Sequence, residues 1–178
     1  MGRDDIGVLE PGAAEDVGLV QRLSDLVNAV YTVAEDGMWQ PGAQRTTPAE
    51  LAGMIRDGQI AVATRDGAPT GMVRLRDVSA DTAEFGMLVA AADERNTGIG
   101  RALLDFAERT SAERGMTTMQ LELLVPRGWA HPSKEFLKGW YGRRGYRLIR
   151  TGKLDDAYPH LAPHLATPCD LEVHAKPL

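Results

Sequence analysis

Arg95, Gly98 and Gly100 stand close together in "ADERNTGIGRALL", residues 92–104. An arginine can pair with phosphate oxygens. Two glycines follow it where an apolar, helix-periodic segment begins. The first N–H groups of a helix have no intrahelical partner and carry the positive end of its dipole. Glycine keeps side chains out of the approach to them. These residues therefore read as an anion site of the phosphate type. A dinucleotide-binding fingerprint needs a third glycine three residues after Gly100, but that position is Leu103. A P-loop needs Gly-Lys-Ser/Thr, but Gly100 is followed by Arg101 and Ala102. A third scheme, Gln/Arg-x-x-Gly-x-Gly/Ala, is met at every fixed position by Arg95-Asn96-Thr97-Gly98-Ile99-Gly100.

The elements around this stretch must position it. The chain has 178 residues, the size of one domain, and 43% of them are hydrophobic, enough for a core. Its net charge of −5 argues against a general nucleic-acid binder. The single cysteine, Cys169, excludes an internal disulfide and points to a reducing compartment. The N-terminus has no signal-peptide pattern, Ile6 breaks a myristoylation signal, and no apolar run reaches the length of a membrane span. The expectation is a soluble cytoplasmic protein.

"IGVLE" predicts a first strand, and residues 13–34 a helix with Val20, Leu23, Val27 and Val30 on one face. Thr47, Pro48 and Glu50 predict a capping box that opens a second helix, ended by Gly58. Two strands flank the Asp66-Gly67 turn, with Val73 and Leu75 alternating with Arg74 and Arg76. "TAEFGMLVA" is a third strand. A helix with Ile99, Leu103, Phe106 and Thr110 on one face runs from the glycines to about Arg114, and Gly115 caps it. "TTMQLELLV" is a strand, "SKEFLKGWYGRR" a helix stopped by Gly145, and "YRLIRTGKL" and "CDLEVHAKP" the last two strands. The looser 155–168 segment lies between them. The mixture predicts an α+β fold (an α/β-type mixed sheet flanked by helices) in one domain over residues 1–178.

Three segments together resemble the GNAT N-acetyltransferase superfamily. "EFGMLVAAADERNTGIGRALL" looks like its fourth strand, pyrophosphate loop and third helix. "MQLELLV" looks like its fifth strand. "EFLKGWYGRRGYRLI" looks like the helix that carries a tyrosine shortly before a Gly-aromatic pair, here Tyr141, Gly145 and Tyr146. The resemblance covers about residues 59–153, with one departure: Lys134 stands where the family often has Asn.

The resemblance implies a central sheet splayed at its fourth and fifth strands. It implies acetyl-CoA as donor, no metal, and direct transfer in a ternary complex to the primary amine of a small molecule or peptide. The pantetheine arm would lie along Leu88, Val89 and Ala90. The pyrophosphate would lie on Arg95, Asn96, Thr97, Gly98, Ile99, Gly100 and Arg101. A homodimer is an assembly the family allows. The other reading is a module of the same fold that binds acyl-CoA and catalyses nothing.

Forming an amide from a thioester requires an amine without its extra proton, a stabilised oxyanion and a protonated leaving thiolate. Tyr141 is the candidate acid, since a phenol of pKa about 10 holds its proton at neutral pH. Glu84 is the candidate base, because some members carry a catalytic glutamate at its offset from the arginine of the loop. Glu122 is the alternative. His131 is a second acid/base candidate, and Trp39 and Trp129 sit in loops that could line a site. His160, His164, Cys169 and His174 suggest metal only superficially. Pro163 breaks the helix an i,i+4 histidine pair needs, and one thiol leaves a zinc site incomplete.

Overall fold

The computed structural model describes residues 5–94 and 96–178; Met1–Asp4 and Arg95 lie outside the described residues. Seven strands form one sheet: β1 (Asp5–Val8), β2 (Ile60–Arg65), β3 (Ala68–Asp77), β4 (Thr82–Ala90), β5 (Thr118–Pro126), β6 (Arg147–Lys153) and β7 (Cys169–Pro177). Their spatial order is β1-β2-β3-β4-β5-β7-β6. Only β4 and β5 pair in parallel; every other neighbouring pair is antiparallel. The mixed sheet is flanked by α1 (Val17–Ala34), α2 (Pro48–Arg56), α3 (Ile99–Glu113) and α4 (Pro132–Arg143), with a short α5 (Leu154–Ala157) before β7.

Local chemistry sets most boundaries. Thr47 and Glu50 form the expected capping box, with Pro48 in the first turn of α2. Asp66 (φ 52°) and Gly67 (φ 79°) make the β2–β3 turn in left-handed conformations, as a type I′ hairpin requires. The predicted 13–34 helix is two pieces. A 3-10 turn covers Pro11–Glu15, and α1 starts after Asp16, whose carboxylate accepts from the Leu19 N–H at 2.9 Å. The buried stripe of α3 is Ile99, Leu103, Leu104, Ala107 and Ser111, with Phe106 and Thr110 only part-buried at its edge. The helix is rolled toward Gly71 of β3. A Cβ there would lie 2.7–2.9 Å from Val89 O, Ile99 and Leu103, so glycine allows α3 to sit down on the strand.

The sheet separates two cores by side-chain alternation. Ala61, Val73, Leu75, Phe85 and Leu121 face α3 and α4, while Ile60, Val62, Met72 and Val89 face α1 and α2. Among the described residues no helix is long and apolar enough to cross a membrane.

A third cluster, around Met38, Leu124, Leu154, Cys169 and Leu171, carries a buried ion pair at its border. Lys134 Nζ donates to Glu35 Oε1 at 2.5 Å, with the two side chains 4% and 2% exposed. Trp39 Nε1 donates to the other Glu35 oxygen at 2.6 Å. The pair ties the end of α1 to the first turn of α4. Burial pushes the Glu35 carboxyl up, but Lys134, Arg45 and the two donated hydrogen bonds outweigh it, so the group sits below the ordinary carboxylate range.

A carboxyl lowered in the native state stabilises the fold above its unfolded pKa, and that contribution is lost as pH falls through the native value. Thermal melts followed by circular dichroism between about pH 3 and pH 7 should therefore show wild type losing more stability on acidification than Glu35→Gln. Lys134→Met should cost about 3–5 kcal/mol near neutral pH, and Glu35→Leu/Lys134→Met less, because the single variant strands a buried charge. Equal acid slopes for wild type and Glu35→Gln would refute this account.

Candidate active site

The β4–β5 ladder holds for four residue pairs, from Thr82↔Thr118 to Phe85↔Leu121, and then stops. Beyond it β4 stays with β3 and β5 stays with β7 through Pro126↔Cys169. The β3–β4 register slips between Met72↔Val89 and Arg74↔Gly86, and Met87 takes a left-handed φ of 47°. This bulge turns the end of β4 away from β5. The parted strands open a cleft of about 400 Å³.

The cleft runs from the start of α3 to α4. Leu88, Val89, Ala90, Asn96, Gly98, Ile99, Gly100, Arg101 and Tyr141 line it, so the structure brings together nearly all of the residues named from sequence. Arg95 lies outside the described residues. Thr97 corrects the expectation: its N–H and hydroxyl both donate to the Glu94 carbonyl, at 3.3 and 2.8 Å, so it shapes the loop and does not line the cleft. Glu94 in turn accepts from Arg65 at 2.6 and 3.2 Å, which fastens the loop to β2.

The first hydrogen bond of α3 runs from Ala102 N–H to Gly98 O at 2.9 Å. The N–H groups of Ile99, Gly100 and Arg101 precede it and point out of the helix end. Among the described residues, chain neighbours and the helix's own backbone aside, no heavy atom lies within 4 Å of a Cβ built on Gly98 or Gly100. That open cradle suits a phosphate. Gly98 has a second reason to be glycine: as N-cap it takes φ 94°, where any side chain is strained. Gly100 alone is there for space.

Tyr141 lies at the opposite wall, 5.7 Å between ring centroids from Phe85 and 5.9 Å from Tyr146. Its hydroxyl makes no hydrogen bond to a described residue. Burial, with Tyr31 nearby, raises its pKa, so it keeps its proton at neutral pH. Tyr146, in contrast, is buried and donates to Glu108 at 2.8 Å.

A second cavity of about 250 Å³ lies on the α1/α2 face of the sheet, and Glu84 is in it. Both Glu84 oxygens are occupied. Oε1 accepts from Arg76 at 2.6 and 2.8 Å, and Oε2 from Gln120 Nε2 at 2.7 Å. The sequence names Glu84 as candidate base; in the structure its carboxylate is held by a guanidinium and an amide. Glu122 lines both cavities and is the only carboxylate shared by them among the described residues. Its Oε2 accepts from the Tyr158 hydroxyl, which also accepts from Arg76 at 3.3 Å. Its Oε1 has no described partner.

Tyr158 escaped sequence reasoning because its segment has no periodicity. Arg74 and Arg76 carried a signal, since β3 is covered on both faces and arginines alternating there must meet something polar. His131 is the N-cap of α4: Nδ1 accepts from Ser133 N–H at 3.2 Å and Nε2 lies 3.1 Å from Asp36 O, so both ring nitrogens are engaged. Trp129 donates to Thr167 at 3.3 Å and is 41% exposed.

The acetyltransferase (GNAT) domain model matches residues 56–148. A search of curated proteins gives no match. Among solved structures, an aminoglycoside 6'-N-acetyltransferase complexed with coenzyme A is similar at 15% identity and TM-score 0.71, over 97% of this chain and 96% of that one. A GNAT-family acetyltransferase from Staphylococcus aureus is similar at 15% identity and TM-score 0.68, over 99% of each chain. The ribosomal-protein-S18-alanine N-acetyltransferase from Escherichia coli is similar at 18% identity and TM-score 0.65, over 98% and 94%. At these identities the likeness is one of fold. With the splayed sheet, the open glycines and a domain model matching more than half of its length, the chain belongs to the GNAT acetyltransferase family.

Proposed function

We propose that the chain transfers an acetyl group from acetyl-CoA to a primary amine, by direct attack in a ternary complex, with residues 1–178 acting as one catalytic domain. One observation carries the reading. The cleft runs from the open end of α3 to Tyr141, and Glu122 stands where it meets a second cavity. The fold neighbour complexed with coenzyme A, and the neighbours named for aminoglycoside and ribosomal-protein alanine acetylation, support a CoA donor and an amine acceptor.

In this reading the pyrophosphate lies on the N–H groups from Gly98 to Arg101, with Asn96 beside it. The pantetheine arm follows the backbone of Leu88, Val89 and Ala90. The amine nitrogen attacks the thioester carbonyl carbon, the C–S bond breaks, Tyr141 gives its proton to the departing thiolate, and the surplus proton on the new amide nitrogen returns to the Tyr141 phenolate. Glu122 takes the proton of the ammonium, directly or through a water. Glu84 holds Arg76, which with Tyr158 fixes Glu122.

Three measurements test this. Gly100→Val should fold and should weaken acetyl-CoA binding at least about tenfold in calorimetry, a loss of about 1.4 kcal/mol or more. Wild-type affinity in the folded variant would move the pyrophosphate elsewhere. Tyr141→Phe keeps the ring and removes the proton, and should lower kcat by about 10²–10⁴-fold. A wild-type rate would hand the acid role to another group. An amine with the pKa of lysine is about 99.9% protonated at pH 7. Glu122→Gln should therefore be slow at neutral pH and approach wild type as pH rises, whereas a pH–rate profile parallel to wild type would remove Glu122 from the proton path.

A further inference from the structure

The floor of the second cavity is two rows of side chains on one face of the sheet. In the first row the strand register aligns Arg76 of β3, Glu84 of β4 and Gln120 of β5. That row is closed, since every Glu84 oxygen has its partner. One row on, the residue opposite Arg74 is Gly86, and β5 contributes Glu122, two residues past Gln120. Glycine stands where the first row has its carboxylate. Apart from its chain neighbours, no described residue lies within 4 Å of a Cβ built on Gly86. Arg74 and Glu122 thus flank a gap wider than two strand spacings (more than about 10 Å at the backbone), because β4 and β5 have parted there.

Among the described residues neither Arg74 nor Glu122 has a direct ion-pair partner. Arg74 Nε donates to the uncharged Gln59 Oε1 at 2.8 Å, and among the described residues its two terminal nitrogens meet no acceptor. It is half-buried, and burial together with Arg76 disfavours its charge, so an anion there would be welcome. Arg45, on the same cavity, lies 4.8 Å over the Tyr31 ring, and Tyr31 and Glu35 support its charge. Glu50, also on the cavity, uses one oxygen in its capping box. Across the gap, one Glu122 oxygen has no described partner; the other is held by Tyr158, which links it to Arg76.

We propose, resting on the acetyl-transfer reading above, that the acceptor is a small amino-carboxylate of the amino-acid type. Its carboxylate is held by the open fork of Arg74, with Arg45 adding positive charge, and its ammonium faces Glu122 over Gly86. A guanidinium fork takes a carboxylate through two parallel hydrogen bonds, which fixes the orientation as well as the charge. The cavity volume of about 250 Å³ lies below the roughly 300–1,000 Å³ of sites for drug-sized ligands, which suits so small an acceptor.

The test uses three matched series: the protein amino acids, their α-carboxamides and the corresponding decarboxylated amines. With acetyl-CoA, kcat/KM should favour the amino acid over its carboxamide by about 10–100-fold, the worth of hydrogen bonds to a charged group. Arg74→Gln should collapse that ratio toward one, chiefly through KM, and Arg74→Lys should restore part of it. Direct binding of the best amino acid to the protein, by calorimetry without acetyl-CoA, should weaken in Arg74→Gln by the same factor. Equal or better turnover of carboxamides and decarboxylated amines overturns the proposal. So does a carboxylate preference that survives Arg74→Gln in a folded protein. If no amine is acetylated, the transfer reading fails, while amino-carboxylate binding that depends on Arg74 still upholds the site and its absence sinks it.

Discussion

A hydrogen-bond ladder that ends early governs this structure. β4 and β5 share four residue pairs and then part, because each is bound more extensively to its other neighbour. An interior break in a sheet leaves backbone donors and acceptors without strand partners. The bulge at Met87 makes the divergence abrupt, and the loop from Ala91 delivers the open end of α3 to its mouth. Cleft, phosphate cradle and the meeting of two cavities all follow from the parting of two strands.

The two faces of the same strands then differ. Toward α3 and α4 the residues are Val73, Leu75, Ala83, Phe85 and Leu121, an ordinary apolar core. Toward the other side they are Arg74, Arg76, Glu84, Gln120 and Glu122, polar groups on central strands. Part-burying such groups is costly unless they satisfy each other. The chain Gln120–Glu84–Arg76–Tyr158–Glu122 does so by continuous hydrogen bonds. It keeps the hollow polar and holds its carboxylates in place, while Arg74 and one oxygen of Glu122 stay outside the chain of bonds.

Much of the fold was legible because its signals are local. Thr47 and Glu50 are three residues apart, Asp66-Gly67 are adjacent, and the helix start at Gly98 and Gly100 is written in six positions. The strand pattern and the GNAT resemblance followed from the same short-range cues. What stayed hidden depends on register and on distance along the chain. Glu84 reads as a free carboxylate until β3 and β5 place Arg76 and Gln120 beside it. Glu35 and Lys134 are 99 residues apart, and nothing in either neighbourhood announces the pair. Tyr158 reaches Glu122 from a segment with no periodicity to read. Gly98 shows the limit from the other side: its place in the loop was readable, but its left-handed backbone was not.

The side walls of the second cavity come from the ends of the chain. Tyr31 and Arg45 precede the matched stretch 56–148, and Tyr158, His160 and Leu161 follow it, whereas the phosphate cradle and the parted strands lie within it. Substitutions in the flanks can reshape that chamber while the parted strands and the open end of α3, in the middle of the chain, keep their geometry.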